Sequence, residues 1–283
     1  MRTVTYSLPT ASGGTPPIAI SCSVASGASF SLGETTVVCT GTDGVHTPGQ
    51  CPFKVTLVAV IPVLRLTQFL GFGDSISAGE NGEDALVQFV DEYNSYEKQL
   101  ERMLTMRYTS QTPQVILDGI SREKASEGRN RIDHDLDALR PQVLLLLEGV
   151  NDLSGNLPVD RANIIEGLRY DIQAAKNRGI VVFLSTLMPE DEKPGNRAHN
   201  ADEIEPVNAA IRGLAAEQNV TLVDTWAAFA GHAHAGDYLD ADGLHPTIAG
   251  NQATAEAFFA AIESTLEVPP ASPASSLRRI HGR

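Results

Sequence analysis

Residues 69–80 read "FLGFGDSISAGE", an apolar run that ends abruptly in Gly-Asp-Ser with more small residues close behind. The run Leu66-Thr67-Gln68-Phe69-Leu70-Gly71-Phe72 is a short buried strand with a breaker after it. Small residues at the carboxyl end of a strand let backbone approach a ligand closely. A serine there faces the crevice where open α/β sheets bind their ligands. Taken alone, Gly73, Asp74 and Ser75 could equally be a plain turn, because Asp and Ser are common turn residues. The rest of the chain separates the two readings.

Beyond residue 66 the chain alternates between short apolar runs and helical patterns. Strands are expected at 66–72, 114–118, 143–148, 180–186 and 220–224. Between the first two, Leu86, Phe89, Val90, Tyr93, Tyr96, Leu100, Met103 and Leu104 recur at spacings of three and four, which predicts one long helix over 85–107. Helices are also expected at 160–177, 202–217 and 247–265. Five apolar strands separated by helices predict a parallel sheet covered on both faces.

Residues 1–60 have a different texture, rich in Thr, Ser, Val and Gly. Ile18–Cys22, Thr35–Cys39 and Phe53–Val58 alternate or run apolar between Gly-, Pro- and Asp-rich turns, the pattern of a small β-sandwich. The reading divides the chain into a β-module at 1–62, an α/β domain at 63–266 and a Pro- and Ser-rich disordered tail at 267–283.

All three cysteines, Cys22, Cys39 and Cys51, fall in the first module. Their C-x16-C-x11-C spacing fits no paired zinc knuckle. One disulfide plus an odd thiol in an oxidising compartment is expected, hence an extracellular or exported protein; three buried reduced cysteines are the alternative. Cys22–Cys51 is the favoured pairing, on strands that can face each other, with Cys22–Cys39 second. A reductant should then destabilise the module alone.

The 283 residues carry a formal net charge of −14, which argues against nucleic acid or an anionic membrane as partner. The richest apolar segment, Val55 to Leu64, is short, contains Pro62 and is followed by Arg65, so no membrane span is expected. The N-terminus "MRTVTYSLPT" has no apolar core of a signal peptide.

Chemistry gathers at the strand ends. Ser75 follows the first strand, Gly119 the second in "VILDGIS", and Gly149, Asn151 and Asp152 the third in "LLLLEGVND". Asp242 and His245 sit in "DADGLHPT" before the last helix. The carboxyl ends of parallel strands share one edge, so these distant residues should converge. A serine hydroxyl is a poor nucleophile until a histidine removes its proton, and that histidine needs an acceptor on its other nitrogen. Asp242, three residues earlier, can reach the Nδ1 side of His245. The oxyanion formed in the attack needs neutral donors, which the Ser75 N–H, the Gly119 N–H and the Asn151 amide would supply.

Each residue also has a plainer reading. His245 could be a surface histidine before a proline, and Asn151 or Asp152 a helix cap, the role expected of Asp152. His232 and His234 could suggest a metal, but without placed carboxylates they read as a polar loop, and no metal or cofactor is expected. Glu148 reads as a solvated strand-end acid, and Arg131 as structural. The G-x-S-x-G elbow is absent, which removes the main rival hydrolase fold.

The four blocks "FGDSISAGE", "LDGIS", "LEGVND" and "DGLHP", in this order, resemble the GDSL esterase/lipase family, also called SGNH hydrolases. The family's signature residues match Ser75, Gly119, Asn151 and His245, with Asp242 as the partner acid. Ile76 stands where the family usually has Leu. The resemblance implies a flavodoxin-like three-layer α/β/α fold, a Ser-His-Asp triad, no cofactor, and hydrolysis of a small-molecule, carbohydrate or lipid ester. Deacetylation of carbohydrate, thioester cleavage or lysophospholipid hydrolysis on the same triad are alternatives, and an adhesion or binding protein is the alternative outside enzymes.

The segment "CSVASGASFSLGETTVVCTGTDGVHTPGQCPFKVTLV" resembles the hyalin-repeat family of immunoglobulin-like extracellular modules. That resemblance implies an accessory module binding a surface or polysaccharide, with no catalytic residue.

Overall fold

The computed structural model describes residues 1–268 apart from 46, 85–86, 194–196, 199 and 235. The chain divides into two compact units, Met1–Ile61 and Pro62–Arg283.

The first unit pairs β1 (Arg2–Thr3) with β3 (Ser29–Phe30), and sets β4 (Gly33–Thr42) between β2 (Ala19–Cys22) and β5 (Gly49–Leu57) in an antiparallel sheet. Alternate residues, among them Val37 and Cys39 of β4 and Phe53 and Val55 of β5, turn to one face and pack with Phe30, Val4 and Tyr6. The disulfide joins Cys22 to Cys39, and Cys51 is an exposed thiol. This corrects the expected Cys22–Cys51 pairing. Cys39 lies on the central strand, directly opposite Cys22 on one side and Cys51 on the other. Cys22 and Cys51 are therefore two strand spacings apart, roughly 10 Å, beyond the reach of a disulfide.

The second unit is an α/β domain. Its parallel sheet has the order β10 (Gln114–Gly119), β7 (Gln68–Gly73), β11 (Val143–Leu147), β12 (Val181–Ser185), β13 (Thr221–Val223), the flavodoxin-like arrangement. The central β11, Val-Leu-Leu-Leu-Leu, is buried along its whole length. Leu70, Phe72, Leu144 and Leu146 turn to one face, against α3 (Ile132–Leu139), α4 (Leu157–Asn177) and α5 (Ala201–Gln218). Phe69, Val143 and Leu145 turn to the other, against α1 (Tyr96–Arg107) and α7 (Ile248–Leu266). A sheet covered on both faces needs this continuous apolar run. Short helices α2 (Ala125–Gly128) and α6 (Thr225–Ala228) complete the layers.

The long helix expected over 85–107 is a correction. Among the described residues the α-helix covers just 96–107, starting where the Ser95 side chain accepts the Lys98 N–H, with one turn of 3₁₀ helix at Glu92–Asn94 before it. Before it lies a hairpin of β8 (Glu80–Asp84) and β9 (Val87–Val90). Phe89, Val90 and Tyr93, assigned to the buried helix face, are all exposed. The apolar spacing carried on upstream of the cap without a core to meet it; Leu86 lies outside the described residues. At the far end, β6 (Val63–Leu64) pairs with β14 (Glu267–Val268), so the first two residues of the expected disordered tail are a strand. Residues 269–283 lie outside those described.

Candidate active site

β7 ends at Gly73, and the chain turns at once. The Asp74 carbonyl accepts the Ala78 N–H at 3.0 Å, and the Ser75 carbonyl accepts the Glu80 N–H at 3.0 Å. Side chains are excluded at two points of this turn. A Cβ on Gly73 would lie 1.9 Å from the Leu147 carbonyl oxygen of the neighbouring strand. A Cβ on Gly119, at the end of β10, would lie 2.1 Å from the Ala78 nitrogen. Glycine at 119 therefore brings the second strand end against the serine turn.

The Ser75 Oγ lies 2.9 Å from His245 Nε2. On the other side of the ring, Nδ1 lies 2.6 Å from Asp242 Oδ2, while Asp242 Oδ1 accepts the N–H groups of Leu244 and His245, both at 3.0 Å. All three side chains are buried. Burial alone would raise Asp242, but its hydrogen bond to His245, the charge of that ring and the two N–H groups outweigh it and hold the carboxyl below its ordinary value. A tight turn thus supplies acceptor and ring together, aimed at a serine 170 residues away.

Asn151 sits in a turn of 3₁₀ helix after β11, which Gly149 enters at φ 127°. Its Nδ2 donates to the Glu123 carbonyl at 2.9 Å. Asp152 accepts the Ala125 N–H at 2.8 Å and so caps α2.

Three groups behave otherwise than the sequence suggested, or were missed. Glu148, read as solvated, is buried against Gly128, and burial together with Asp171 and Asp74 holds its carboxyl well above the ordinary range. Asp74 is fully buried, and burial pushes it up to about 7 against the pull of the Ile76 N–H and His245. Glu80 brings a second carboxylate oxygen to 4.0 Å from His245 Nε2. No spacing rule signals Glu80, because its position comes from the hairpin. Arg131, read as structural, ties the ends of β7 and β10 together through their carbonyls. The loop histidine His232 is taken by Asp237 at 2.8 Å.

An open parallel sheet with a Ser–His–Asp chain of hydrogen bonds at its carboxyl edge is the architecture of a hydrolase. Residues 72–253, more than half of the sequence, match the GDSL-like lipase/acylhydrolase family, and the chain belongs to it. It is accordingly a carboxylic ester hydrolase.

Among similar solved structures is the lipase/acylhydrolase from Enterococcus faecalis, 20% identical, with a TM-score of 0.57 over 72% of this chain and 98% of that one. Another is an acetylxylan esterase from Geobacillus stearothermophilus, 23% identical, with a TM-score of 0.52 over 69% of this chain and 93% of that one. An α/β hydrolase from the metagenome of Lake Arreo, Spain, is 23% identical, with a TM-score of 0.55 over 69% of this chain and 94% of that one. At these identities the likeness is one of fold. No curated protein matches the chain by sequence.

Proposed function

We propose that the protein is a serine esterase acting on short- to medium-chain acyl esters through an acyl-enzyme. The observation that carries this reading is the unbroken chain from Ser75 Oγ through the His245 ring to Asp242, at 2.9 and 2.6 Å. His245 Nε2 takes the hydroxyl proton as Ser75 Oγ attacks the ester carbonyl, and Asp242 stabilises the imidazolium that forms. The N–H groups of Ser75 and Gly119 and the Asn151 amide receive the oxyanion. The imidazolium then protonates the departing alcohol. Water, deprotonated by the same nitrogen, releases the acid and frees Ser75.

A second reading keeps this chemistry and changes the substrate to an O-acetylated carbohydrate. It draws on the likeness to an acetylxylan esterase. Thioesters and lysophospholipids would use the same groups. The β-unit, by its resemblance to hyalin repeats, would serve to hold the enzyme on a surface or polysaccharide, and its disulfide accords with an exported protein.

The test is direct. A fluorophosphonate should label Ser75, and Ser75→Ala should lose about 10⁴–10⁶ in kcat while remaining folded. A variant keeping a tenth of the wild-type rate would remove Ser75 from the mechanism. A chain-length series of nitrophenyl esters, run beside acetylated xylo-oligosaccharides, decides between the two substrate classes.

A further inference from the structure

We infer that Arg131 is a positioning residue for the oxyanion donors: it fixes and polarises the peptide that carries the Gly119 N–H, and through Glu123 it orients the Asn151 amide. The inference rests on the esterase reading above.

The guanidinium lies 3.8 Å over the Phe72 ring, at the end of β7, and its side chain is 15% exposed. Nη2 donates to two backbone carbonyls, Gly73 at 3.1 Å and Asp118 at 3.0 Å. Nε and Nη2 grip the Glu123 carboxylate at 2.9 and 2.6 Å. Nη1 reaches carboxylate oxygens of Asp118 at 2.9 Å and Asp135 at 3.0 Å. Neutralising three acids would need only the last four contacts. The two carbonyl bonds call for a separate account.

The Asp118 carbonyl and the Gly119 N–H are the two ends of one planar peptide unit. Fixing the oxygen fixes the direction of the N–H. The guanidinium N–H donated to that oxygen also polarises the peptide, so the N–H becomes a stronger donor, as in any chain of coupled hydrogen bonds, although the three carboxylates offset much of the cation's charge. The benefit is greatest when the N–H meets a developing negative charge, which happens in the transition state. The second carbonyl, Gly73, is the register partner of Gly119 across the β10–β7 pair. One nitrogen therefore clamps the two strand ends from which Ser75 and Gly119 emerge.

Asn151 is reached by another route. Its Nδ2 spends one N–H on the Glu123 carbonyl, which sets the amide plane and leaves the other N–H for the oxyanion. Glu123 is held by its carboxylate on Arg131. Two of the three proposed donors thus depend on one cation that touches no substrate.

Arg131→Lys and Arg131→Met in the full chain test this. Lysine keeps the charge but cannot span both carbonyls and Glu123. We expect kcat on nitrophenyl acetate to fall about 10- to 100-fold with KM little changed, and methionine to cost more than lysine. Affinity for a trifluoromethyl ketone, which forms a tetrahedral adduct on the serine, should fall by a similar factor. Millimolar guanidinium should restore part of the rate in Arg131→Ala. A folded Arg131→Lys with wild-type kcat and only a lower Tm would overturn the inference; should the methionine and alanine variants fold poorly, the lysine variant decides alone. Failure of the esterase reading looks different, as hydrolysis that survives Ser75→Ala.

Discussion

Gly82 lies directly against the carboxylate of Asp242: a Cβ at position 82 would sit 2.1 Å from the Asp242 Cγ and 2.2 and 2.3 Å from its oxygens. The β8–β9 hairpin also bonds to the same loop through backbone. The Gly82 carbonyl accepts the Asp242 N–H at 3.2 Å, and the Gly82 N–H reaches Asp240 at 2.9 Å. The hairpin therefore forms one wall of the acid's pocket. Gly82→Ala should push Asp242 off His245 and lower kcat by about 10² or more, because a misheld acid leaves the imidazole in the wrong tautomer or orientation. Gly213→Ala, in a helix with nothing within 4 Å of the added methyl, is the control that should leave the rate intact. Equal rates in the two variants would show that the hairpin does not support Asp242.

Asn151→Ala separates stabilising the transition state from binding the substrate. With its amide gone, the proposed oxyanion donor is lost and the hydrogen bond received by the Glu123 carbonyl also disappears. The expected result is a fall of roughly 10²–10³ in kcat with KM nearly constant. Steady-state kinetics over a substrate range check this, and a change confined to KM would make Asn151 a binding residue instead.

How much of this was legible beforehand follows a physical line. β7, β10 and β11 were readable because each is an apolar run with glycine at or just past its end; Gly119 closes β10, and Ser75 and Asn151 come shortly after β7 and β11. Asp242 and His245 were readable because an acid three residues before a histidine can close on it without help from the rest of the fold. The second strand of the hairpin was not, since Phe89 and Val90 continue the helical spacing of α1, and the break comes at the 3₁₀ turn Glu92–Asn94 and the cap at Ser95. The contacts of Arg131 were equally hidden. Its acceptors come from positions 73, 118, 123 and 135, a set that no local pattern gathers. The burial of Glu148 depends on Gly128, twenty residues earlier, leaving room for its carboxyl.

Buried acids give the α/β unit a characteristic pH dependence. Glu97 is fully buried over Gly71, and burial pushes its carboxyl from 4.5 up to about 8. Below about 4.5 it is protonated folded or unfolded, and it favours neither state. Between about 4.5 and 8 the unfolded chain releases this proton and the folded one keeps it, so stability falls as pH rises. Above about 8 both forms are ionised and the loss levels off. Asp74, raised to about 7, and Asp152, raised to about 6, act in the same direction. Thermal unfolding should therefore give a higher Tm near pH 5 than near pH 8. Glu97→Gln, which removes the charge without changing the volume, should flatten that slope and gain most over wild type at the alkaline end. A Tm difference between Gln and Glu that stays constant with pH would contradict the assignment.

The cysteines provide the last prediction. Cys39 faces Cys22 and Cys51 from the central strand, and the bond goes to Cys22. Cys51 is exposed, so a maleimide should modify the native protein once, at Cys51, before any reductant is added. After reduction Cys22 and Cys39 should become reactive as well. Closing the loop between residues 22 and 39 should stabilise the β-unit by about 3 kcal/mol in the chain-entropy account. A reductant should accordingly lower the unfolding temperature of that unit. Ser75, Gly119, Asn151, Asp242 and His245 all belong to the second unit, which contains no cysteine. The rate of ester hydrolysis should therefore be unchanged by reductant at temperatures where both units stay folded. Peptide mapping of the alkylated protein reads the pairing directly: a Cys39–Cys51 peptide with Cys22 free would refute the assigned bond, and loss of hydrolysis on reduction would tie the β-unit to catalysis.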